Sequence, residues 1–580
     1  MNKLKASVFI AIFCVLFFAA QFVVQPKWCY PSDYESHGGK IEEFHDLEKD
    51  SLDVVFSGTS HMMYGLIPMQ LYKERRIVSF NYGLSAHRIS PLYHQLLNVF
   101  KTQSPKVVMI DVSLLYLNTF LDLPWRRVLD YSSSLSIQKL KTAEQYAIEY
   151  YEDSQKEAIQ TEASSGRMID MNYINTMFKL ELGALLPFYR YHTRGTELNA
   201  NDFSKDPMEE YYSKGYVAGT MKGIVWGTKT SVNQVLENIM SKDTSMEYRQ
   251  VNGKEEVVKS TKDPYRGMPD DEQLQWLYKI RDLCKANGAE LHLVKIPVIS
   301  NSRDYESSWT RLRSQNVHKI ANDMGVSFCD LVYDYNIGIN TQNDFRDNGM
   351  HLNFYGAKKV TSFLGNYLEN ICGVKGGSDK YYNSSLPMYE KLDAAAQIQE
   401  PLVYKTYMKT LKKNLAGKTI LLSVRGVQGG LFSEKEKKRL YDLGVLNTFD
   451  KRYFGERSYI GIIRNGESVY EAAGEFPVET AFQLDEEHVA ELASIGSSVT
   501  NSRNTYSSIR IDGIEYSQNK LGLNIAVFDD ATGTVIDQIV FYKSNPEDKL
   551  KGERNYNFLD AAIRGYEYKM YEDYYLKNGK

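Results

Sequence analysis

The stretch DVVFSGTSH, residues 53–61, decides the fold that we predict for this chain. An apolar run from Leu52 to Phe56 has the length of one strand, and the glycine, threonine and serine that follow are typical of a tight turn. Short apolar runs of this kind are expected for buried strands of a parallel sheet. The stretch therefore predicts a strand that leads through a turn into a helix, with Ser60 at the carboxyl end of the strand.

Four more apolar runs of similar length follow, at residues 78–83, 106–111, 290–297 and 326–330. Stretches with helical periodicity separate them, at residues 89–101, 270–287 and 309–324 and again after Tyr355. Strands that alternate with helices predict an α/β fold, in which helices cover both faces of a parallel sheet. The alternation stops between about residues 120 and 265, and we interpret this polar, mostly helical or irregular stretch as an insertion.

A different pattern begins near residue 400. Short strands separated by turn signals are predicted at residues 419–425, 458–464, 507–511, 522–528 and 535–542. One helix begins with a capping box formed by Ser433 and Glu436 and ends at Gly444. These patterns divide the chain into an α/β domain at 45–375, a glycine-rich linker at 376–399, a β-rich domain at 400–545 and an unassigned tail at 546–580.

The first 25 residues predict a membrane anchor. Lys3 and Lys5 precede an uncharged, mostly apolar run from Ala6 to Val24, which is long enough to cross a bilayer. A cleaved signal peptide is the alternative, but its apolar region is shorter and ends in a small-residue cleavage site, which this run lacks. Because lysines favour the cytoplasmic side, we expect everything after about Pro26 to lie outside the cell.

Composition argues against a nucleic-acid-binding protein, a zinc site and a disulfide-rich fold. The 580 residues carry a formal net charge of −4, and no basic stripe points to a nucleic acid partner. The five cysteines include no CxxC pair, so their spacing predicts neither a zinc site nor a dense disulfide framework. We therefore expect no metal and no cofactor.

A second motif, DFRDNGMHLN at residues 344–353, supplies what a nucleophilic serine needs. A serine attacks only when a base takes its proton, and a third group must orient that base. Ser60 is the candidate nucleophile, His351 the candidate base, and Asp347 the candidate acid, with Asp344 as the alternative. Taken singly, the serine and the histidine are equally typical of ordinary turn and helix-capping positions.

Together the motifs resemble the SGNH (GDSL-like) hydrolase superfamily, over roughly residues 50–370 less the insertion. The resemblance is carried by Gly58-Thr59-Ser60-His61, by Asn81-Tyr82-Gly83, and by the His-Leu-Asn-x-x-Gly-Ala sequence at 351–357, and it is closest to the membrane-anchored O-acyltransferase-like branch. It implies a flavodoxin-like three-layer sandwich and a serine–histidine–aspartate triad. It also implies an oxyanion hole that uses the N–H groups of Ser60 and Gly83, and it makes His61 and Asn81 candidate substrate contacts.

Two departures from the family pattern stand out. The acid commonly lies three residues before the histidine, and Asn348 holds that position here, so Asp347 is displaced by one residue. The third family block normally adds an asparagine to the oxyanion hole, whereas this strand continues as Asp111-Val-Ser113 with no asparagine before Asn118. Losing one such donor typically costs about 2.7–4 kcal/mol of transition-state stabilisation. Acyltransfer members of this branch also often lack that asparagine.

The β-rich domain has a resemblance of its own. Its strands at 419–425, 458–463 and 522–529 and the helix after Ser433 are similar to the interleukin-like EMT inducer (ILEI) type of domain. Such domains are non-catalytic sandwiches of extracellular proteins, some of them joined to glycan enzymes. The resemblance implies that residues 400–545 bind a partner, with a glycan as the favoured ligand.

Three hypotheses for function remain open at this point. The first is O-acyl transfer, with acetyl as the expected group, to or from a cell-envelope polysaccharide through an acyl-enzyme on Ser60. The resemblance implies that a polytopic membrane-bound O-acyltransferase supplies the acyl group. The second is a carbohydrate esterase that uses water as the acceptor. The third is a non-catalytic scaffold that binds an envelope polymer.

Overall fold

The computed structural model describes residues 2–24, 38–130, 136–159, 171–196, 198, 203, 246–251, 254–260, 267–298, 311–340, 344–346, 350–426, 432–446, 457–497, 504–545 and 547–554. The chain divides into two compact units, with the boundary between Tyr382 and Asn383. The predicted acid Asp347 lies outside the described residues.

The first unit is built on a five-stranded parallel sheet, which confirms the mixed α/β class. Its strands are β1 (Val54–Gly58), β2 (Ser79–Gly83), β3 (Val107–Asp111), β6 (Glu290–Lys295) and β7 (Ser327–Asp330), and a hairpin of β4 (Met246–Val251) and β5 (Lys254–Ser260) falls between the third and fourth of them in the chain. The sheet order is β2-β1-β3-β6-β7. Every residue of β1, β2 and β3 is buried, as expected for strands covered on both faces.

Helices connect these strands. In chain order they are α1 (Asn2–Val24), α2 (Gly38–His45), α3 (Ser60–Gly65), α4 (Pro68–Arg75), α5 (Ile89–Thr102), α6 (Asp122–Asp130), α7 (Ile137–Ile159), α8 (Met171–Leu185), α9 (Pro187–Tyr191), α10 (Asp271–Ala286), α11 (Arg311–Met324) and α12 (Phe354–Asn370). Short 3₁₀ helices cover Val112–Tyr116 and His192–Thr196. Helix α5 packs against α10, and α4 packs against α12.

The predicted insertion contains helices α6 to α9 and the β4–β5 hairpin. The helices form a small core of their own, made of Trp125, Leu129, Ala143, Tyr146 and Ala184. Within the described residues, α1 is the one helix that is long and apolar enough to cross a membrane, with a mean hydropathy of 2.6 over Leu4–Val24. That length and composition fit a membrane span and a signal sequence alike.

The second unit is a separate antiparallel, β-rich region. It opens with helices α13 (Lys380–Gln399) and α14 (Tyr404–Lys413) and contains α15 (Glu434–Tyr441). Its strands are β10 (Lys418–Arg425), β11 (Ser458–Arg464), β12 (Glu467–Gly474), β13 (Val478–Gln483), β14 (Val489–Ile495), β15 (Tyr506–Ile511), β16 (Ile514–Glu515), β17 (Gly522–Asp529), β18 (Thr534–Tyr542) and β19 (Lys551–Glu553). The capping box of Ser433 and Glu436 is present, as the sequence predicted.

These strands form a six-stranded sheet, β12-β11-β10-β17-β18-β19, and a four-stranded sheet, β13-β14-β15-β16. Buried side chains from both sheets, among them Leu421 and Phe528 from one and Leu492 and Ile509 from the other, meet in one apolar core. The residues between 376 and 399 differ from prediction, because most of this expected linker is the helix α13.

Candidate active site

The turn after β1 presents Ser60 at the carboxyl edge of the sheet. Ser60 is the first residue of α3, and the Thr59 side chain caps that helix by accepting a hydrogen bond from the N–H of His61 at 3.2 Å. The Thr59 hydroxyl in turn donates to Asp111 Oδ2 at 2.8 Å, so the turn is tied to the end of β3. A Cβ on Gly58 would lie 2.8 Å from the Asp111 Cβ, which is why a glycine stands there.

The central finding at this edge is the contact between Ser60 and His351. The distance from His351 Nε2 to Ser60 Oγ is 2.7 Å, although the two residues come from opposite ends of the α/β unit. Both side chains are partly exposed, so a substrate can reach them. A hydrogen bond of this length is what a base needs in order to take a proton from a serine hydroxyl.

A short hairpin holds His351 in position. His351 lies on β9 (His351–Leu352), which pairs with β8 (Phe345–Arg346). The next helix, α12, is capped by Asn353, whose side chain accepts from the N–H groups of Tyr355 and Gly356. Because a Cβ on Gly356 would lie 2.3 Å from the Asp344 carbonyl oxygen, only glycine lets α12 start this close to the hairpin. The His-Leu-Asn-x-x-Gly motif is thus explained by local geometry.

The alternative acid, Asp344, has other partners in the structure. Its buried carboxylate accepts from Lys359 Nζ at 2.7 Å and from the Asn340 N–H at 2.5 Å. Burial raises the pKa of Asp344, and the hydrogen bond from Asn340 and the contact with Lys359 oppose that rise. The structure therefore gives Asp344 the role of joining the hairpin to α12. Asp347 stays a prediction, since it lies outside the described residues.

Asn81 and Gly83 form a closed unit beneath the turn. The fully buried Asn81 amide donates to three backbone carbonyl oxygens, those of Met62, Met63 and Leu66, at 2.8 to 3.1 Å. Its carbonyl oxygen accepts from the Gly83 N–H at 3.1 Å. The structure thus gives Asn81 the structural role of capping α3. The Gly83 N–H, which was predicted to serve the oxyanion hole, is therefore already hydrogen-bonded to Asn81.

A polar cluster that the sequence analysis missed lies beside Ser60. Asp111 Oδ1 accepts from the Ser113 N–H at 3.1 Å and from the Ser113 hydroxyl at 3.0 Å. Lys295, at the end of β6, donates to Ser113 Oγ at 2.8 Å, and His61 Nδ1 lies 3.1 Å from that same oxygen. The cluster joins the ends of three neighbouring strands, β1, β3 and β6.

The donors and acceptors of this cluster fix the tautomer of His61. Lys295 can only donate, and the carboxylate of Asp111 can only accept, so it takes the single hydroxyl hydrogen of Ser113. The remaining lone pair of Ser113 Oγ then accepts a hydrogen from Nδ1 of His61, which assigns the proton to that nitrogen. His61 Nε2 is therefore a hydrogen-bond acceptor, and its ring lies 5.5 Å from the His351 ring.

Electrostatics keep His61 neutral. Burial lowers the pKa of His61 to about 4, the neighbouring Asp111 opposes that shift, and the positive charge of Lys295 adds to it. Burial alone would raise the pKa of Asp111, but the contact with His61 and the charge of Lys295 outweigh it and lower that pKa to about 2. Near neutral pH the cluster thus combines a charged carboxylate with a neutral imidazole.

Asn118 does not replace the missing oxyanion asparagine. Its side-chain amide donates to Asp270 Oδ2 at 2.7 Å, and this contact is exposed. In the part of the chain that the structure describes, no three histidine, cysteine or acidic side chains are arranged to hold a metal ion. The described chemistry of the site is therefore that of a serine, two histidines and the Asp111 cluster.

The sheet topology explains why these groups meet. The connection after β1 leads to β2 on one side of the sheet, whereas the chain after β3 leads to β6 on the other, and such a reversal leaves a crevice at the carboxyl ends of β1 and β3. Ser60 follows β1 and Asp111 ends β3, on the two sides of that crevice. No family model matches this chain, and no curated protein was found to be similar to it.

Proposed function

We propose that this protein is a serine-dependent O-acyltransferase of the SGNH type, in which Ser60 carries the acyl group. The observation that supports this most directly is the 2.7 Å contact between Ser60 Oγ and His351 Nε2 at the carboxyl edge of a parallel sheet. Such an edge is where ligands of open α/β sheets bind. The pairing also matches the roles that the SGNH resemblance implies for these two residues.

The reaction has two halves. In the first, His351 Nε2 takes the hydroxyl proton of Ser60 while Ser60 Oγ attacks the carbonyl carbon of the donor ester. The tetrahedral intermediate then collapses, and the leaving group takes the proton from His351. In the second half, His351 removes a proton from an acceptor hydroxyl, which attacks the acyl-serine, and Ser60 leaves with the proton returned.

The N–H of Ser60 is the proposed donor to the oxyanion. As the first residue of α3, Ser60 has an N–H without an acceptor in its own helix, and the helix dipole favours negative charge there. The Gly83 N–H joins it only if the Asn81 hydrogen bond opens when substrate binds. An oxyanion hole with one available hydrogen-bond donor gives a slower reaction than one with three. The loss of each donor typically costs about 2.7–4 kcal/mol of transition-state stabilisation.

His61 is the proposed contact for the acceptor. Its Nε2 accepts hydrogen bonds, as the Asp111 cluster requires, and its ring lies beside His351. A sugar hydroxyl that donates to His61 is thereby held near the base that must deprotonate it. This gives the sequence prediction of a substrate contact at His61 a physical reason. It also favours a hydroxyl-rich acceptor such as an envelope polysaccharide.

Membrane attachment favours transfer over hydrolysis. In this proposal α1 is an uncleaved anchor and the rest of the chain is extracytoplasmic, beside a polytopic acyltransferase that passes acetyl groups outward. A secreted esterase has no need of a membrane, whereas a transferase must meet its acyl donor there. The second unit, with its ILEI resemblance, would hold the polymer near Ser60 and raise its effective concentration.

A non-catalytic scaffold is the second candidate, because one observation favours it. The Gly83 N–H is engaged by Asn81, the Gly83 carbonyl oxygen accepts from the buried Lys40 at 2.6 Å, and Asn118 faces Asp270. Of the two backbone N–H groups expected in the oxyanion hole, that of Gly83 is thus engaged elsewhere, and the asparagine of the family pattern is missing from the sequence. The esterase alternative shares the acyl-enzyme and differs only in using water as the acceptor.

Labelling by a fluorophosphonate probe tests the proposal. The full-length protein should become labelled and should hydrolyse an aryl acetate, whereas Ser60→Ala should lose both, with turnover reduced about 10³-fold or more. Ser104→Ala is the matched control, since that serine is exposed and its hydroxyl donates to Asp50 Oδ1 on the surface. Equal labelling of Ser60→Ala and the parent would overturn the assignment. Adding a polyol acceptor then separates transfer from hydrolysis by the ratio of acylated product to free acetate.

A further inference from the structure

The carboxyl-terminal end of α1 differs from the rest of that helix, because other parts of the first unit cover it. Phe9 and Phe13 are 69% and 58% exposed, as expected for side chains that face lipid. Gln21 and Val24, by contrast, are only 8% and 7% exposed. The helix therefore has a free portion and a covered end.

Residues of the insertion cover that end. The Phe188 N–H, at the start of α9, donates to Gln21 Oε1 at 2.6 Å. The buried Arg194 guanidinium donates to the Val24 carbonyl oxygen, also at 2.6 Å. The last carbonyl groups of a helix lack intrahelical partners, and a cation there also complements the helix dipole. Arg194 thus closes α1 as a cap supplied from 170 residues further along the chain.

The depth of this contact follows from helix geometry. The span Leu4–Val24 is about 30 Å long at 1.5 Å per residue, which matches the hydrocarbon thickness of a bilayer. Phe17 lies seven residues, or about 10 Å, before the covered end. The ring of Phe188 lies 6.4 Å from the ring of Phe17. If α1 spans the membrane, the Phe188 ring therefore lies about 10 Å below the outer edge of the hydrocarbon layer, within the outer leaflet.

The exposed side chains of α9 suit that environment. Phe188 and Tyr189 are each 41% exposed. Aromatic residues are enriched at the membrane–water interface, where an apolar ring enters the acyl region and a polar group stays at the headgroups. At this depth, the lipid that surrounds α1 would also contact these exposed aromatic rings.

We propose that α9 is a membrane foot, a segment that rests in the outer leaflet and fixes the first unit against the bilayer. The occupant of the surface formed by Phe188 and Tyr189 is lipid. This inference takes from the proposed function only that α1 spans the membrane, and it does not depend on the acyl-transfer chemistry.

The foot is joined firmly to the rest of the insertion. Arg190 of α9 donates to Asp122 Oδ1 at 2.9 Å and to the Tyr146 hydroxyl at 2.6 Å, and its guanidinium lies over the Tyr146 ring. Asp122 begins α6 and Tyr146 belongs to α7. The two helices that carry these residues pack in the same small core.

The insertion is joined in turn to the catalytic edge. Glu149 of α7 accepts from Trp125 Nε1 at 3.0 Å and from the Ser90 hydroxyl of α5 at 2.5 Å. Arg127 of α6 donates to the carbonyl oxygen of Ser85, in the loop after β2. The foot therefore sets the height and tilt of the sheet edge that bears Ser60. This would keep the nucleophile at one distance from an acyl donor that arrives through the membrane.

Photocrosslinking in lipid nanodiscs tests the foot. The photoreactive amino acid p-benzoylphenylalanine replaces Phe188 in the full-length chain, and lipid adducts are measured by mass spectrometry after irradiation. Tyr189 is the second labelled position, in case the first variant does not fold. Phe13 on the free portion of α1 is the positive control, and Tyr278, a 37% exposed aromatic on α10, is the comparison away from α1.

We expect lipid adducts at positions 188 and 189 with a yield at least half of that at position 13, and at least tenfold above that at 278. Adducts at 13 but not at 188 or 189 would overturn the foot while leaving the anchor intact. Adducts to a protein in native membranes, without lipid adducts, would show that a membrane protein occupies the surface instead. Absence of adducts at 13 would remove the anchor and the foot together, whatever the serine probe reports.

Discussion

Each unit of this molecule holds a partly exposed histidine against a polar partner, and the two partners differ in their chemistry. In the second unit, His488 Nδ1 lies 2.7 Å from Asp485 Oδ1, and its Nε2 lies 3.9 Å from Asp512 Oδ2. In the first unit, His351 Nε2 meets the hydroxyl of Ser60. The imidazole of His488 has acids at both nitrogens, whereas the imidazole of His351 has a serine hydroxyl at Nε2.

The surroundings of the two histidines differ in the same way. The second unit pairs its buried polar groups among themselves, as with Arg554 and Asp537, whose side chains are both fully buried at 2.8 Å, and the hydroxyls of Ser423 and Ser507 at 2.9 Å. The first unit brings polar groups to the ends of parallel strands, where Asp111 and Lys295 are buried but Ser60, His61 and His351 stay partly exposed. The proposed function therefore rests on the histidine whose partner is a serine hydroxyl at a parallel-sheet edge.

The largest expected effect is on catalytic turnover, when His351 and His488 are each replaced by alanine in separate variants. His351→Ala should lower aryl acetate turnover by about 10³-fold or more, because Ser60 loses its base. His488→Ala should leave turnover unchanged, since the described contacts of His488 involve no nucleophile. Steady-state kinetics of both variants, with serine-probe labelling alongside, make the comparison. A similar loss in both variants would mean that the second unit belongs to the active site.

The next effect concerns stability in the second unit. Asp537→Ala leaves the buried charge of Arg554 without its carboxylate, and breaking a buried pair typically costs about 3–5 kcal/mol. Hydrogen exchange should speed up in β17 and β18, while Ser60 keeps its reaction with the probe. Glu369→Ala is the control, because its contact with Arg75 is on the surface and such pairs contribute about 0–1 kcal/mol. Loss of probe labelling in Asp537→Ala would show that the units do not fold separately.

The smallest expected effect tests whether His61 contacts the acceptor. His61→Gln places a donor and an acceptor where the structure assigns an acceptor, so the transfer of acetyl to a polyol should fall about tenfold relative to hydrolysis, a change of about 1.4 kcal/mol. The rate of acyl-serine formation should stay within about twofold. Product ratios at saturating aryl acetate give the first quantity, and probe kinetics give the second. A parallel fall in both rates would make His61 a structural support of the Ser60 turn.

Much of the fold could be predicted because its strands are apolar and short. The sequence located all five strands of the parallel sheet within two residues at their ends. It missed β12, β13 and β14, in which glutamates and small or polar residues interrupt the apolar residues, so their apolar signal is weak. It also missed α13, where nearby glycines and Pro387 are typical of a linker although the segment is helical.

The site was predictable only where a local motif carries it. Ser60 and His351 each belong to a short motif that the sequence displays, and the structure brings them together. The Asp111 cluster depends instead on β3 and β6 being neighbours, although the insertion separates them in the chain. Asn81 was assigned to substrate, but its side chain faces α3. Such orientations are set by strand order and register, which single motifs do not contain.

The cap that Arg194 places on α1 would link the height of the first unit above the membrane to the time at which a passing polymer meets Ser60. In the proposal that α1 spans the membrane and Ser60 is the nucleophile, this cap would confine Ser60 to a thin layer above the bilayer, and a polymer exported through that layer would pass it once. Under the proposed function, the spacing of acyl groups along the finished chain would equal the export speed divided by the rate of acyl delivery. The pattern of decoration would then record how fast the polymer left the cell.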